Sequence, residues 1–287
     1  MLAQTSEGAV VGFDDRADIY RRFALYYDRE MTRETPYSER GDYFRKSRDR
    51  IDRTFAMIRP HIAGRHVLDI GASPFYLLYQ CRKWAANRCS GTYFARDAHP
   101  LREVSRIHSY YGPIDLYHSN IEGEALPLAD DSVDVVTACE VLEHFEYFPA
   151  NFVAEVTRVL KPGGLLCITV PNAASIANVL RILRGRNIYM RYRADPSGRH
   201  KHEYTRAELI DLMAHMRMEV DRIGYLGSTT SDKAALRPIY RLIARTPFLR
   251  RYSPKLFVLA RQPRAKATTP FGPPPPSLYD AALSIED

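Results

Sequence analysis

The sequence predicts an α/β protein built on a mostly parallel sheet of seven strands, with helices on both faces. From His66 onward, short apolar runs alternate with longer helical patterns, which is typical of βαβ units. The run from Leu165 to Val170 is continuously apolar, as expected for a central strand. The 287 residues are 45% hydrophobic and 26% charged, which is ordinary for a globular chain and fits either one α/β domain with extensions or two domains.

Each element rests on a local pattern. Lys161-Pro162-Gly163-Gly164 stops a helix, because proline cannot continue it and glycine accepts the left-handed turn. Thr205-Arg206-Ala207-Glu208 is a capping box that opens another helix. Apolar spacing predicts helices at about 75–86, 100–110, 151–160 and 205–216. The predicted strands are 66–70, 89–95, 114–118, 133–138, 165–170, 218–225 and 255–260.

The chain divides into three predicted regions. Residues 1–60 form a helical cap, and residues 61–262 form the α/β domain. A basic amphipathic insertion at about 232–252 either packs its apolar side on the domain or lies at a membrane interface. Residues 263–287 hold six of the 19 prolines and are predicted to be a disordered tail.

Charge is concentrated in one region. The net charge is +7, but the segment from Arg181 to Lys266 alone carries +13, so the rest of the chain is acidic. Such a region attracts phosphates, anionic sugars or an anionic membrane surface, although a merely solvated surface is the simpler interpretation.

Several protein classes do not fit this sequence. Its four cysteines form no CxxC or Cys/His spacing, so we expect reduced thiols and no metal ligands among them. No apolar run approaches the roughly 18 to 20 residues of a membrane-spanning helix. The first residues show no signal or transit pattern, which predicts a cytoplasmic location.

Four motifs occur in a familiar order. They are Val67-Leu68-Asp69-Ile70-Gly71, the run Leu126 to Val136, Glu140-Val141-Leu142-Glu143-His144, and Arg158-Val159-Leu160 followed by Lys161 to Gly164. In order and spacing they resemble the class I S-adenosylmethionine-dependent methyltransferases, over about residues 60 to 225. The resemblance implies a Rossmann-like fold and S-adenosyl-L-methionine as the cofactor.

The resemblance also implies the residues that bind the cofactor. A strand-end acid such as Asp69 can accept hydrogen bonds from a cationic amino-acid group, and glycine allows a close backbone approach. The residue after the fourth strand would line the channel where the methyl group meets the acceptor. The implied set is Asp69, Gly71, Ala72, Ser73, Asp97, Asn120, Ile121, Glu122 and Ala138.

The chain departs from the family at two places. The usual glycine-rich loop is Gly71-Ala72-Ser73-Pro74-Phe75, with one glycine. The family's acid for the ribose hydroxyls would fall near Thr92 to Phe94, where no residue is acidic, and Asp97 is the nearest substitute. These departures motivate one alternative, a non-catalytic methyltransferase-like module.

Methyl transfer requires a base near the acceptor, because the nucleophile must lose or share its proton. His144 and His202 are the candidate bases, since histidine titrates near neutral pH, and Glu140 lies beside the acceptor channel by resemblance. For each, a packing or solvated role is the competing interpretation.

The stretch from Leu183 to Tyr189 with the following histidines resembles a subgroup associated with surface polysaccharides and glycolipids. The leading hypothesis is O-methylation of a sugar hydroxyl on a glycan, glycolipid or related acceptor, with no metal. Peripheral membrane contact is compatible with it, and nucleic acid is not the expected partner.

A second hypothesis involves a metal ion. Glu140, Glu143 and His144, with His200 or His202, resemble the divalent-metal site of small-RNA 3′-end ribose 2′-O-methyltransferases. RNA would then be the substrate, held by the basic surface.

Overall fold

The protein is described by a computed structural model over residues 39–73, 75–94, 106–109, 111–189, 199–227, 237–267 and 269–279. The chain forms two compact units, Met1–Asn120 and Ile121–Asp287. Most of the predicted N-terminal cap and Asp97 lie outside the described residues. Within the described residues, we find no helix whose length and hydropathy would let it cross a bilayer.

The first unit contains four strands in the order β3, β4, β2, β1. Strand β1 pairs with β2 and β2 with β4 in parallel, and only the short β3 is antiparallel. Helix α2 packs on strands β1, β2 and β4, and α1 packs on α2. The elements are α1 (Glu39–Ile58), a 3₁₀ helix (Arg59–His61), β1 (His66–Ile70), α2 (Tyr76–Lys83), β2 (Arg88–Tyr93), β3 (Arg106–Ser109) and β4 (Gly112–His118).

The second unit also contains four strands, in the order β5, β6, β8, β7. Strands β5 and β6 are parallel, and β8 runs antiparallel to both of its neighbours, β6 and β7. The elements are β5 (Val133–Cys139), a 3₁₀ helix (Leu142–His144), α3 (Ala150–Val159), β6 (Leu160–Pro171), α4 (Ile176–Ile182), α5 (Arg206–His215), β7 (Glu219–Leu226), α6 (Arg237–Arg245), a 3₁₀ helix (Pro247–Tyr252) and β8 (Lys255–Arg261).

The predicted mostly parallel α/β architecture is confirmed. All five residues of β1 and residues 164–171 of β6 are buried. Because successive side chains of a strand point to opposite faces, both faces of these strands are covered. The capping box at Thr205 and Glu208 is confirmed, and all four cysteines are free thiols.

Two segments differ from the predicted elements. Residues 106–109, predicted as the end of a helix, form strand β3 instead. Gly112, with a φ of 121°, starts the return strand, and Arg106 forms an ion pair with Asp115 of β4. The predicted end of the helix before Lys161 is confirmed, since α3 ends at Val159, but residues 161–164 belong to β6, where Gly163 adopts a φ of 75° and the β5–β6 register shifts.

The proline-rich segment also differs from the expected disorder over residues 269–279. The Arg217 guanidinium donates hydrogen bonds to the carbonyls of Thr269 and Pro270, at 2.8 and 2.6 Å. The ring of Phe271 lies against His215. Aromatic and carbonyl groups of the segment thus find partners at the end of α5, which composition alone does not reveal.

The loop before β5 is fastened by one arginine. Arg158 of α3 donates hydrogen bonds to the carbonyls of Leu126 and Leu128 and pairs with Glu155 at 2.6 Å and with Asp130 at 2.8 Å. The hydrogen bond from Arg158 lowers the pKa of Glu155, against the effect of burial. Helix α3 therefore holds the segment that leads into β5.

We predict that Glu155→Gln lowers the free energy of unfolding by about 1–3 kcal/mol at pH 7, because it removes a charge-assisted hydrogen bond. The pKa of Glu155 is below its ordinary value of 4.5 in the folded state, so its contribution is present above that pH. The difference from the parent protein should therefore shrink as the pH falls below 4.5. Urea unfolding, followed by circular dichroism at several pH values, measures this difference in the free energy of unfolding.

The matched control is Asp221→Asn, which removes an ion pair with Arg261 at a position where the carboxylate is 40% exposed. We expect a much smaller loss there, since exposed pairs contribute little. Equal losses for the two variants, or a pH-independent loss at Glu155, would contradict this account.

Candidate functional site

In the first unit, a turn follows β1 at the carboxyl end of the strand. Asp69 is buried within β1. Gly71 has a φ of 68°, and its N–H donates to the Thr92 hydroxyl at 3.2 Å. The N–H of Ala72 donates to the Thr92 carbonyl at 2.8 Å. One threonine of β2 therefore fixes the turn.

A glycine of β2 lets the turn approach the sheet. A Cβ atom at Gly91 would lie 2.8 Å from the Cβ of Ala72 and 2.8 Å from Cδ1 of Leu78. Both distances are shorter than real Cβ contacts allow, so any side chain at Gly91 would displace the turn or helix α2. The single glycine of the turn is thus supplemented by a second glycine on the neighbouring strand.

The end of β2 has no acidic residue among its described positions. Thr92 is used to hold the turn. Tyr93 is buried and its ring meets Phe75 and His118, and burial raises its pKa. Phe94 is exposed and lies beside His118. Asn120 follows β4 and is half-buried, as a ligand-contacting amide could be.

In the second unit, three of the predicted cofactor residues have structural partners. The carbonyl of Ile121 accepts a hydrogen bond from Asn151 at 2.9 Å. The Glu122 carboxylate accepts from the Glu146 N–H at 2.6 Å. Ala138 is fully buried in β5, where it pairs with Ile168.

The segment after β5 begins with a strained residue. Glu140 has a φ of 61°, a conformation that non-glycine residues rarely adopt and that often marks functional sites. Its N–H donates to the Thr169 carbonyl at 2.8 Å, and its carboxylate forms an ion pair with Lys255. Glu140, one of the predicted catalytic residues, is therefore held by its backbone to β6 and by its carboxylate to β8.

Three side chains of the second unit converge on one point. Glu143 is fully buried, and its Oε1 lies 3.9 Å from Nε2 of His144 and 4.0 Å from Nε2 of His200. The two imidazole rings meet edge to face, with 5.1 Å between their centroids. The carbonyl of Glu143 accepts hydrogen bonds from the N–H groups of Lys201 and His202, at 2.6 and 3.3 Å. We call Glu143, His144 and His200 the carboxylate–histidine cluster.

Hydrogen bonds at the far side of each ring set its tautomer. Nδ1 of His144 lies 3.1 Å from the carbonyl of Arg199, and Nδ1 of His200 lies 3.2 Å from Oε1 of Glu203. Carbonyl and carboxylate oxygens only accept, so both rings carry their proton on Nδ1. The other ring nitrogen of each histidine, Nε2, is the atom that lies near Glu143. Burial is the main cause that lowers the pKa of His144, which keeps this ring neutral at neutral pH.

A further residue supports the cluster from α4. Oε2 of Glu203 accepts a hydrogen bond from the side-chain amide of Asn178 at 2.6 Å. That amide also donates to the Ala173 carbonyl at 3.1 Å. Sequence reasoning missed Asn178 and the role of Glu203, because no motif marks either residue.

His202, the other predicted base, lies outside the cluster. Its Nε2 is 3.3 Å from Oε1 of Glu208, the residue of the capping box. Among the described residues, Glu143, His144 and His200 form the group whose ligand atoms lie within 4.8 Å of one another. Of the residues in the metal hypothesis, Glu140 and His202 are thus engaged elsewhere.

Comparison with known proteins identifies the family. A methyltransferase domain model matches residues 68–168. The ubiquinone biosynthesis O-methyltransferase of Ruegeria pomeroyi is 31% identical over 191 residues, which is 65% of this chain and 73% of that protein. The chain belongs to the class I S-adenosylmethionine-dependent methyltransferases.

Another curated relative and a solved structure similar to this methyltransferase are also methyltransferases. The ubiquinone biosynthesis O-methyltransferase of Schizosaccharomyces pombe is 30% identical over 147 residues, 49% of each chain. The chain spans about a quarter to a half of the length of the first curated relatives it matches. The structure of an S-adenosylmethionine-dependent methyltransferase from Mesorhizobium loti has a TM-score of 0.52 and 17% identity, covering 73% of this chain and 96% of the other, which confirms the Rossmann-like fold.

The family's cofactor is S-adenosylmethionine, and the first unit fits it. Asp69 offers a buried carboxylate for a cationic amino group at the carboxyl end of β1. The turn at Gly71 and the missing Cβ at Gly91 bring backbone close to where a ligand binds in such folds. Asn120 has both the donor and the acceptor that a purine edge requires.

We predict that Gly91→Ala weakens binding of S-adenosylhomocysteine by at least tenfold, because the new methyl group displaces Ala72 and the turn. Isothermal titration calorimetry measures the change. Gly123→Ala is the matched control, since a Cβ there meets nothing within 4 Å. Unchanged affinity in Gly91→Ala, with the fold intact by circular dichroism, would contradict this role of the turn.

Proposed function

We propose that this chain transfers a methyl group from S-adenosylmethionine to a hydroxyl oxygen of a sugar, on a glycan, glycolipid or related acceptor. One observation carries the proposal: the imidazole of His144, whose pKa is lowered by burial and whose Nδ1 is held by the Arg199 carbonyl, lies with His200 beside the buried Glu143 carboxylate. A hydroxyl acceptor has the strongest need for such a base, because it must give up its proton as it reacts.

The chain's own residues handle that proton. When bound, the cofactor supplies the methyl carbon that the acceptor oxygen attacks as the carbon–sulfur bond breaks. Nε2 of His144 accepts the proton from the hydroxyl, and its side chain is 36% exposed and therefore accessible. The buried Glu143 carboxylate then stabilises the imidazolium, and the Arg199 carbonyl keeps the ring oriented.

One observation supports an oxygen acceptor, and another supports a sugar ring. Relatives from Ruegeria pomeroyi and Schizosaccharomyces pombe are named O-methyltransferases. Tyr147, three residues after His144, is 81% exposed and offers an aromatic face of the kind on which sugars stack. The basic segment from Arg181 to Lys266, which contains His200, suits an anionic acceptor.

Labelled methyl transfer tests the proposal. We expect label from S-adenosylmethionine in a glycan or glycolipid fraction of the source cells, in base-stable methyl ethers of sugars. Label found in a small phenolic acceptor or in protein, with none in sugars, would refute it. Absence of any binding to S-adenosylhomocysteine in calorimetry would instead favour the non-catalytic module. We also predict a cytoplasmic location, which fractionation checks.

We predict that His144→Asn lowers kcat about 10²- to 10⁴-fold, because asparagine cannot accept the proton. The affinity for S-adenosylhomocysteine should stay within a factor of two to three. His202→Asn is the control, since His202 is engaged by Glu208, and we expect a change in kcat of less than about fivefold. Comparable losses in both variants would show that His144 is not the base.

A second candidate mechanism uses a divalent metal held by the carboxylate–histidine cluster. Two imidazole nitrogens and a carboxylate oxygen within 4.8 Å, with both Nδ1 atoms held by acceptors, are typical of metal ligation. The ion would then lower the pKa of the acceptor hydroxyl directly. The described residues of the cluster do not distinguish a ribose hydroxyl of RNA from the hydroxyl of another sugar.

Chelation separates the two mechanisms. For the metal-free base we expect activity to persist after dialysis against EDTA and metal-free buffer. Loss of activity that manganese or magnesium restores would establish the second mechanism. In that case Glu143→Gln should lower metal binding in equilibrium dialysis, whereas Glu146→Gln, outside the cluster, should not.

A further inference from the structure

The second unit carries an exposed surface on which arginines and large apolar side chains are interleaved. Two segments form it, residues 181–189 at the end of α4 and residues 237–252, which include α6. Together they contain eight arginines and no acidic residue. The large apolar side chains that are more than half exposed are Ile182, Leu183, Tyr189, Leu242 and Phe248. We call these two segments the arginine–apolar surface.

Asn172 contacts one segment directly and the helix that leads into the other. The side-chain amide of Asn172 donates to the carbonyls of Arg251 and Ser253, at 2.8 and 2.7 Å. The carbonyl of Asn172 accepts from Asn178 of α4 at 3.4 Å. Burial raises the pKa of Tyr240 of α6, and the charge of Arg181 opposes that shift. These contacts place the two segments side by side in the unit.

Helix α6 uses only part of its apolar surface for packing. Tyr240 and Ile243 are buried, at 8% and 3% exposure. Leu242 and Phe248 are 58% and 68% exposed, next to the exposed Arg241 and Arg245. Packing on the domain therefore covers one side of α6, while Leu242 of α6 and Phe248 of the following 3₁₀ helix stay exposed.

We propose that the arginine–apolar surface docks this methyltransferase on the surface of a bilayer that contains anionic lipids. Arginines attract the lipid headgroups, and the aliphatic and aromatic side chains enter the boundary between headgroups and acyl chains. RNA would complement the arginines but would leave Ile182, Leu183 and Leu242 without an apolar environment. An anionic bilayer complements both kinds of side chain.

Helix α4 links this surface to the carboxylate–histidine cluster. Asn178 holds Glu203 and, through it, His200, and Leu183 is five residues further along the chain. At 1.5 Å per helical residue, the two positions are about 8 Å apart along α4. Docking would thus place the cluster near the headgroups, where the sugar of a glycolipid lies. This last step rests on the proposed function, whereas the docking itself does not.

Vesicle sedimentation of the full chain, without cofactor or acceptor, tests the docking. We expect the chain to sediment with vesicles of phosphatidylcholine and phosphatidylglycerol and to remain free with phosphatidylcholine alone. High salt should weaken the association without abolishing it, because the apolar contacts are not screened. No association with the anionic vesicles would overturn the proposal, whatever the enzymatic activity.

Variants locate the docking surface. Arg184→Gln with Arg186→Gln, and separately Leu183→Ser with Phe248→Ser, should each reduce partitioning about tenfold. All four side chains are exposed, so the fold should persist, which circular dichroism checks. The control, Arg264→Gln with Val220→Thr, changes an exposed arginine and an exposed apolar residue elsewhere and should leave partitioning unchanged. Equal losses in the control, or displacement from vesicles by single-stranded RNA at lower concentration than by soluble phosphatidylglycerol, would refute this assignment.

Discussion

The site depends on two backbone hydrogen bonds to the carbonyl of Glu143. They tie the N–H groups of Lys201 and His202 to the 3₁₀ helix that follows β5. Residues 55 or more positions apart are thereby brought into one cluster, since the Arg199 carbonyl meets His144 and His200 meets Glu143. Burial of the Glu143 carboxylate is unfavourable without a compensating positive charge, and a proton taken up by His144, whose Nε2 lies 3.9 Å from Oε1, would supply one.

The turn after β1 in the first unit lies close to the sheet although it contains a single glycine. Family members use several glycines there, whereas this chain has one in the turn and uses Gly91 on the neighbouring strand to make room. Thr92, at the place where an acid is usual, holds the turn through its hydroxyl and its carbonyl. A departure from a motif in one strand is thus compensated by the adjacent strand, and the alignment of one sequence with a motif cannot show this.

The strands could be predicted from sequence because burial on both faces leaves continuous apolar runs, as at Leu165 to Val170. Strand β3 could not be predicted from the sequence. The residues before it follow a helical spacing, and its pairing with β4 depends on the conformation of Gly112. His144 was marked by its motif. No motif showed whether His200 or His202 would join the cluster. That depends on the backbone hydrogen bonds to the Glu143 carbonyl, which position this segment, and on the capping-box residue Glu208, which lies beside His202.

Nitrogen NMR tests most directly whether His144 beside Glu143 is neutral, with its proton on Nδ1 and a bare Nε2. The chain has nine histidines, so selective ¹⁵N labelling with His144→Asn and His200→Asn variants assigns both rings. At pH 7.5 we predict ring nitrogen shifts of the Nδ1–H tautomer for His144. Shifts of the Nε2–H tautomer or of a doubly protonated ring at His144 would contradict the account.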